Sequence, residues 1–128
     1  MLDLIIKNGQ CYIDGELKDV DIAVKDGKIH KIGEISQETK EILNAEGQTV
    51  LPGCIDTQTH FREPGSTDTE DLHSGSRAAI AGGITGVFEM PNTNPPTSTK
   101  LEFQKKLDLA KNRMYCNYAF YFGATASN

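Results

Sequence analysis

The chain has 128 residues, of which 38% are hydrophobic and 24% charged, a composition typical of a globular protein rather than a disordered one. Its net charge of −5 argues against a nucleic-acid surface, because such a surface needs clustered Lys and Arg. No run of residues approaches the ~20 apolar positions of a membrane helix. The N-terminus carries Asp3 and no long apolar region, so we expect no signal peptide and a cytoplasmic protein.

The cysteines have no paired spacing. Cys11, Cys54 and Cys116 stand far apart in the chain, which predicts free thiols in a reducing compartment. Cys54 and Cys116 lie in apolar runs, so we expect both to be small core residues.

Residues 1–50 are predicted to form a small antiparallel β unit. Its short β-prone runs, 4–6, 20–24 and 29–32, are rich in Ile and Val. Turn signals separate these runs, at Asn8-Gly9, Asp14-Gly15 and Asp26-Gly27. Residues 38–46 are polar, and we expect irregular structure there.

From Thr49 onward, apolar strands alternate with helices. The predicted strands cover residues 49–56, 84–90 and 116–122. The patterns Thr67-x-x-Glu70 and Thr99-x-x-Glu102 predict the helix starts, and the helices end at residues 82–83 and near 112. This alternation predicts a parallel sheet of α/β type.

The second helix carries the one basic cluster of the chain, which we interpret as a solvated helix face. It consists of Lys105, Lys106, Lys111 and Arg113.

Polar residues that end the first of these strands are the best candidates for chemistry. Asp56, Gln58, His60 and Arg62 would share one face of an extended chain, at the strand end where α/β barrels place active sites. Burying such a set without a ligand or metal would be costly. The alternative is a hydrogen-bonded core or turn histidine at position 60 and a surface cation at position 62.

Two longer strings resemble a known family. HFREPG at residues 60–65 and EDLHSGSRAAIAGGITGVFEMPNTNPPT at 70–97 resemble the cyclic amidohydrolases and, within them, the dihydroorotases. The resemblance implies that residues 51–128 are the first βαβαβ portion of an incomplete (β/α)8 TIM barrel, and that residues 1–50 are part of a β-sandwich. Three strands cannot close an eight-stranded barrel. We therefore expect an N-terminal portion that is inactive alone, with the general acid/base and further metal ligands beyond Asn128.

The resemblance also implies one or two divalent metal ions, usually zinc. The family motif reads His-x-His at the end of the first strand; His60 matches the second histidine, and Gln58 stands in place of the first. An amide oxygen is a poorer zinc ligand than imidazole. Three outcomes remain open: one metal, two metals with Gln58 as a weak or water-mediated ligand, or a non-catalytic homologue.

Substrate choice is suggested by the end of the second strand. MPNT at residues 90–93 resembles the dihydroorotases, whereas allantoinases share HFREPG but differ here, and hydantoinases typically lack the arginine. By this resemblance Arg62 and Asn92 bind the carboxylate of dihydroorotate, and a planar guanidinium matches a carboxylate bidentately. Without the family context, Asn92 is more simply a turn residue.

The implied activity is the reversible interconversion of L-dihydroorotate and N-carbamoyl-L-aspartate, a step of pyrimidine biosynthesis, through a metal-bound hydroxide. The alternative is a non-catalytic, dihydroorotase-like subunit that serves as a structural partner of aspartate transcarbamoylase. The other expected partner is a second copy of the chain, with no nucleic acid and no membrane. Glu63 is predicted to be structural, and Glu89 is either an interior polar group or an orienting group.

Overall fold

The computed structural model describes all 128 residues, which divide into two compact units, Met1–Pro52 and Gly53–Asn128. The first unit contains only strands, and the second alternates strands with helices. The chain is therefore of α/β type, as predicted.

Seven strands form the first unit. They are β1 (Leu2–Lys7), β2 (Gln10–Ile13), β3 (Glu16–Asp19), β4 (Asp21–Lys25), β5 (Lys28–Gly33), β6 (Thr39–Asn44) and β7 (Thr49–Val50). One sheet has the order β5-β4-β1-β6, and a second has the order β3-β2-β7. The core of this unit is a cluster of buried apolar side chains at the larger sheet, formed by Leu2, Ile5, Ala23 and Ile35.

Two of the predicted turns close hairpins. Asp14 and Gly15 link the antiparallel pair β2 and β3, and both have positive φ, 53° and 87°. Asp26 and Gly27 do the same for β4 and β5, with φ of 52° and 71°. Positive φ at both central residues is the requirement of a type I′ turn, which Asp-Gly and Asn-Gly satisfy at low cost.

The prediction of a purely antiparallel unit is wrong, because β1 pairs with β6 and β2 pairs with β7 in parallel. The prediction of irregular structure at residues 38–46 is also wrong, since β6 lies there. β6 is at the edge of its sheet with five of its six residues exposed, so polar side chains do not oppose strand formation. Its backbone pairing with β1, and not a hydrophobic pattern, makes it a strand.

The predicted strand at residues 49–56 is divided in two. β7 belongs to the first unit through β2, and the next strand, β8 (Cys54–Thr59), belongs to the second. Pro52 lies between them, and proline has no N–H to donate to a strand ladder. The boundary between the two units therefore falls just after Pro52.

The second unit follows the predicted order of strands and helices. After β8 come α1 (Leu72–Ala81), β9 (Ile84–Glu89), α2 (Lys100–Ala110) and β10 (Asn117–Phe120). The three strands form a wholly parallel sheet in the order β10-β9-β8, which confirms the predicted parallel sheet. Neither helix is long and apolar enough to cross a membrane.

The helix starts were predicted correctly for α2 and incorrectly for α1. Thr99 caps α2, and its hydroxyl accepts the N–H of Glu102 at 3.2 Å. At α1 the cap is Asp71, whose carboxylate accepts the N–H of Ser74 at 2.6 Å, and not Thr67. Residues 63–69 are taken up in turns, so the helix begins at the next strong capping residue.

The core of the second unit lies between the sheet and the helices. Its buried side chains are Phe61, Leu72, Val87, Ala110 and Cys116. Gly75 of α1 permits this packing, since a Cβ there would lie 2.6 Å from the Phe61 ring. Cys54, by contrast, is exposed, because it begins β8 at the edge of the sheet, so its expected place in the core was wrong.

Candidate functional site

Two loops meet at the carboxyl ends of neighbouring parallel strands. One follows β8 from residue 60, and the other follows β9 from residue 90. The Met90 N–H donates to the carbonyl of Thr59 at 2.9 Å, and the Asn94 N–H donates to the carbonyl of Pro64 at 3.0 Å. Gly65, with φ of 122°, allows the close approach, because a Cβ there would lie 2.9 Å from the Asn94 backbone oxygen. The two loops are thus tied backbone to backbone.

Two of the predicted site residues meet across these loops. The Nδ1 atom of His60 lies 2.9 Å from the Oδ1 atom of Asn92. A carboxamide oxygen only accepts hydrogen bonds, so the imidazole Nδ1 carries the proton and donates. This tautomer leaves the Nε2 lone pair of His60 available to another ligand.

The other two predicted site residues do not join this contact. β8 ends at Thr59, and its register with β9 is irregular between Asp56 and Thr59, so the regular alternation of faces expected from the sequence is interrupted. Gln58 is exposed, and its backbone N–H donates to the Asp56 carboxylate at 2.9 Å. Arg62 is also exposed and forms no side-chain hydrogen bond or ion pair, which leaves its guanidinium available to a bound molecule.

The potential metal ligands of this chain supply one ligand of a metal site but not the complete site. His60 fits, because a partner on one ring nitrogen fixes the orientation and tautomer of a metal-binding histidine. Gln58 offers only a neutral amide oxygen, which zinc sites rarely use. No group of three or more His, Cys, Asp or Glu side chains is arranged to hold a metal ion. Catalytic zinc normally takes three protein ligands, so the donors of this chain do not form such a site by themselves.

A buried ion pair lies next to the two loops. Glu89, the last residue of β9, contacts the ammonium group of Lys106 from α2, and both side chains are almost wholly buried. Burial raises the pKa of Glu89 to about 7, although the charges of Lys106, His60 and Arg62 act to lower it. Burial likewise lowers the pKa of Lys106, against the influence of Glu89.

The burial of Lys106 was not predicted from the sequence, where its basic neighbours indicated a solvated helix face. Lys106 is 1% exposed, so this part of the prediction is wrong. The sequence does contain a signal for the burial of Lys106. Phe103, Lys106 and Ala110 follow the spacing of three and four residues that marks the buried side of a helix. A charged residue on such a stripe needs a partner, and Glu89 is the acidic residue that ends the adjacent strand.

Arg113, from the same predicted face, is also paired. Its guanidinium donates to both carboxylate oxygens of Glu63, at 2.8 and 3.0 Å. Glu63 in addition accepts the N–H of Leu72 at 2.9 Å, at the first turn of α1. Glu63 therefore holds the loop after β8 to the ends of both helices, which is the structural role that the sequence predicted.

The hydrogen-bonded His60 and the unpaired Arg62 thus lie at the carboxyl ends of parallel strands, where α/β barrels place their active sites. Residues 49–126 match the amidohydrolase family, and the chain belongs to that family.

Relatives of this chain include hydrolases of cyclic amides. It is 42% identical over 127 residues to an allantoinase of Escherichia coli O1:K1 / APEC, covering 98% of this chain and 28% of the relative. An allantoinase of Salmonella choleraesuis is 43% identical with the same coverage. The solved L-hydantoinase (dihydropyrimidinase) of Arthrobacter aurescens superposes with a TM-score of 0.89 at 32% identity, covering 98% of this chain and 29% of that one.

The chain thus spans under a third of the length of these relatives. The similarities support the cyclic amidohydrolases as a group and do not single out dihydroorotase. Amidohydrolase family members are typically metal-dependent.

Proposed function

We propose that the intact protein is a cyclic amide hydrolase that opens a ring amide bond of a cyclic ureide. The observation that carries this proposal is the similarity of nearly the whole chain to allantoinases and to a hydantoinase. The contact between His60 and Asn92 supports it, because it orients an imidazole at the strand ends where such folds carry out chemistry.

The residues of this chain have separate tasks in the proposed site. Asn92 fixes the tautomer of His60, and His60 presents Nε2 to a divalent metal ion, for which we propose zinc. Arg62 presents a guanidinium to carbonyl or carboxylate oxygens of the substrate. Gln58 is at most a weak ligand, so we do not assign it a required role in metal binding.

Allantoin is the first substrate to test, because the relatives at 42% and 43% identity are allantoinases. L-dihydroorotate is the second, and what favours it is the combination of Arg62 with the MPNT string that contains Asn92. The two molecules differ in charge: dihydroorotate carries a carboxylate, and allantoin carries an uncharged ureido group. Arg62 should therefore matter far more for dihydroorotate.

The test is ring opening by the purified protein, expressed with whatever coding sequence flanks these 128 residues in its genome. Allantoin, hydantoin and L-dihydroorotate are assayed with added zinc, and Arg62→Met is compared with the unchanged protein. If L-dihydroorotate is the substrate, Arg62→Met should raise its KM at least tenfold, whereas the KM for allantoin or hydantoin should change much less. Absence of turnover with all three compounds would overturn the proposed function.

A non-catalytic subunit remains the second candidate, and Gln58 is the observation that favours it. Gln58 stands where the family motif has its first histidine, and an amide oxygen is a ligand that zinc sites rarely use. In that case the protein would not turn over cyclic ureides and would co-elute with aspartate transcarbamoylase in size-exclusion chromatography.

A further inference from the structure

The ammonium group of Lys106 forms hydrogen bonds with residues that precede Asn92 in the sequence and with residues that follow it. It donates to the carbonyl of Met90 at 3.3 Å, which is two residues before Asn92. It also donates to the hydroxyls of Thr93 at 3.5 Å and Thr97 at 3.2 Å, which follow Asn92. One cation from α2 therefore holds the loop that carries the histidine partner.

The loop closes around this cation through its own hydrogen bonds. The Thr97 N–H donates to the carbonyl of Pro91 at 2.9 Å, and the Thr93 hydroxyl donates to the carbonyl of Pro95 at 3.0 Å. A buried ammonium is stable only where oxygen atoms replace its water shell. The loop supplies three such oxygens, and Glu89 supplies the opposite charge. The loop conformation and the burial of Lys106 therefore depend on each other.

We propose that Lys106 is a positioning residue, which sets the Asn92 amide against Nδ1 of His60 by holding both flanks of the loop. The consequence for catalysis rests on the proposed function, but the positioning itself is measurable without turnover. The role is distinct from packing, because the hydrogen-bonding ammonium and not the volume of the side chain contacts the loop oxygens.

The ring nitrogen signals of His60 report this positioning directly. Their 15N chemical shifts distinguish the tautomer with the proton on Nδ1 from a mixture of tautomers. The spectrum of the 128-residue chain is recorded unchanged and as Asn92→Ala, which supplies the reference for a lost contact. Lys106→Met alone would leave the Glu89 carboxylate buried without a partner, so Glu89→Gln/Lys106→Met is compared with Glu89→Gln.

In Glu89→Gln we expect the His60 signals to stay close to those of the unchanged chain, because Lys106 still contacts the loop. In Glu89→Gln/Lys106→Met we expect loss of the single-tautomer signature and signals that move to the Asn92→Ala positions. Lys105→Met is the matched control, since Lys105 is the exposed neighbour that pairs with Glu102 at 2.9 Å, and it should change nothing.

An unchanged His60 signature in a folded Glu89→Gln/Lys106→Met chain would overturn the proposal. If that variant does not fold, Thr97→Val provides the test. It keeps the charges of Glu89 and Lys106 and removes one of the loop oxygens that Lys106 contacts. A shift of the His60 signals toward the Asn92→Ala positions would support the role of Lys106, and no shift would overturn it. The His60 signals can show the positioning role of Lys106 even if no hydrolase activity is found. Failure of the proposed function is therefore distinguishable from failure of the proposed role of Lys106.

Discussion

Arg113, just beyond the end of α2, holds both carboxylate oxygens of Glu63 in the loop after β8, across fifty positions of the chain. Glu63 is 7% exposed, so its carboxylate has little access to water that could replace the arginine. The neighbouring residue in the loop is Arg62, a proposed substrate contact. A structural ion pair thus fixes the loop segment from which Arg62 extends.

Removal of this arginine should destabilise the second unit. We expect Arg113→Met to lower the free energy of unfolding by about 1–3 kcal/mol, because it leaves a nearly buried carboxylate with one fewer charged partner. Urea denaturation followed by circular dichroism measures the effect. Arg77→Met is the control, since Arg77 is exposed on α1 and forms no ion pair, and its effect should stay within about 0.5 kcal/mol. Equal losses in both variants would contradict the structural role of the Glu63 pair.

Glu89 should make stability depend on pH in a definite direction. Its pKa is raised from 4.5 to about 7 in the folded chain, mainly by burial, so the folded state binds more protons than the unfolded state between these values. The contribution of Glu89 to the free energy of unfolding is fully present below pH 4.5 and is lost as the pH rises through 7. The total loss is up to about 3 kcal/mol. Urea denaturation at pH 5, 6, 7 and 8 measures it. Glu89→Gln lacks the titrating group, and a curve parallel to that of the unchanged chain would refute the prediction.

The cap of α2 gives a local stability test. We expect Thr99→Ala to cost about 1 kcal/mol, because the Glu102 N–H loses its acceptor at the start of the helix. Thr99→Ser keeps the hydroxyl and should recover most of the loss in thermal or urea denaturation. Ser98→Ala is the control, as the Ser98 hydroxyl forms no hydrogen bond, and a loss of similar size there would show that the cap is not responsible.

Placing an imidazole at position 58 should improve metal binding. We expect Gln58→His to bind zinc at least tenfold more tightly than the unchanged chain in competition with a chromogenic chelator, because imidazole is the better zinc ligand. Thr57→His places the same side chain one position away on β8 and serves as the control. The gain should disappear in Gln58→His/His60→Ala. An equal gain in Thr57→His would mean that positions 58 and 60 do not act together.

Local chemistry was enough to predict the elements whose signals lie within a few residues. Asp-Gly pairs with positive φ specify the two hairpins, and Thr99 with Glu102 specifies the start of α2. The parallel sheet followed from the alternation of apolar strands with helices. β6 was not predicted because it is a strand through backbone pairing with β1. That pairing does not require alternating apolar and polar side chains in β6 itself.

By itself the sequence determined the candidates for chemistry, because the polar residues at a strand end and the HFREPG and MPNT strings pointed to His60, Arg62 and Asn92. Only the tertiary structure decided which of them meet. It joined His60 to Asn92 across two loops, left Arg62 free, and buried Lys106 against Glu89. The physical reason is that such contacts depend on the packing of α2 and on strand register. Both are set by the whole fold and not by spacing along the chain.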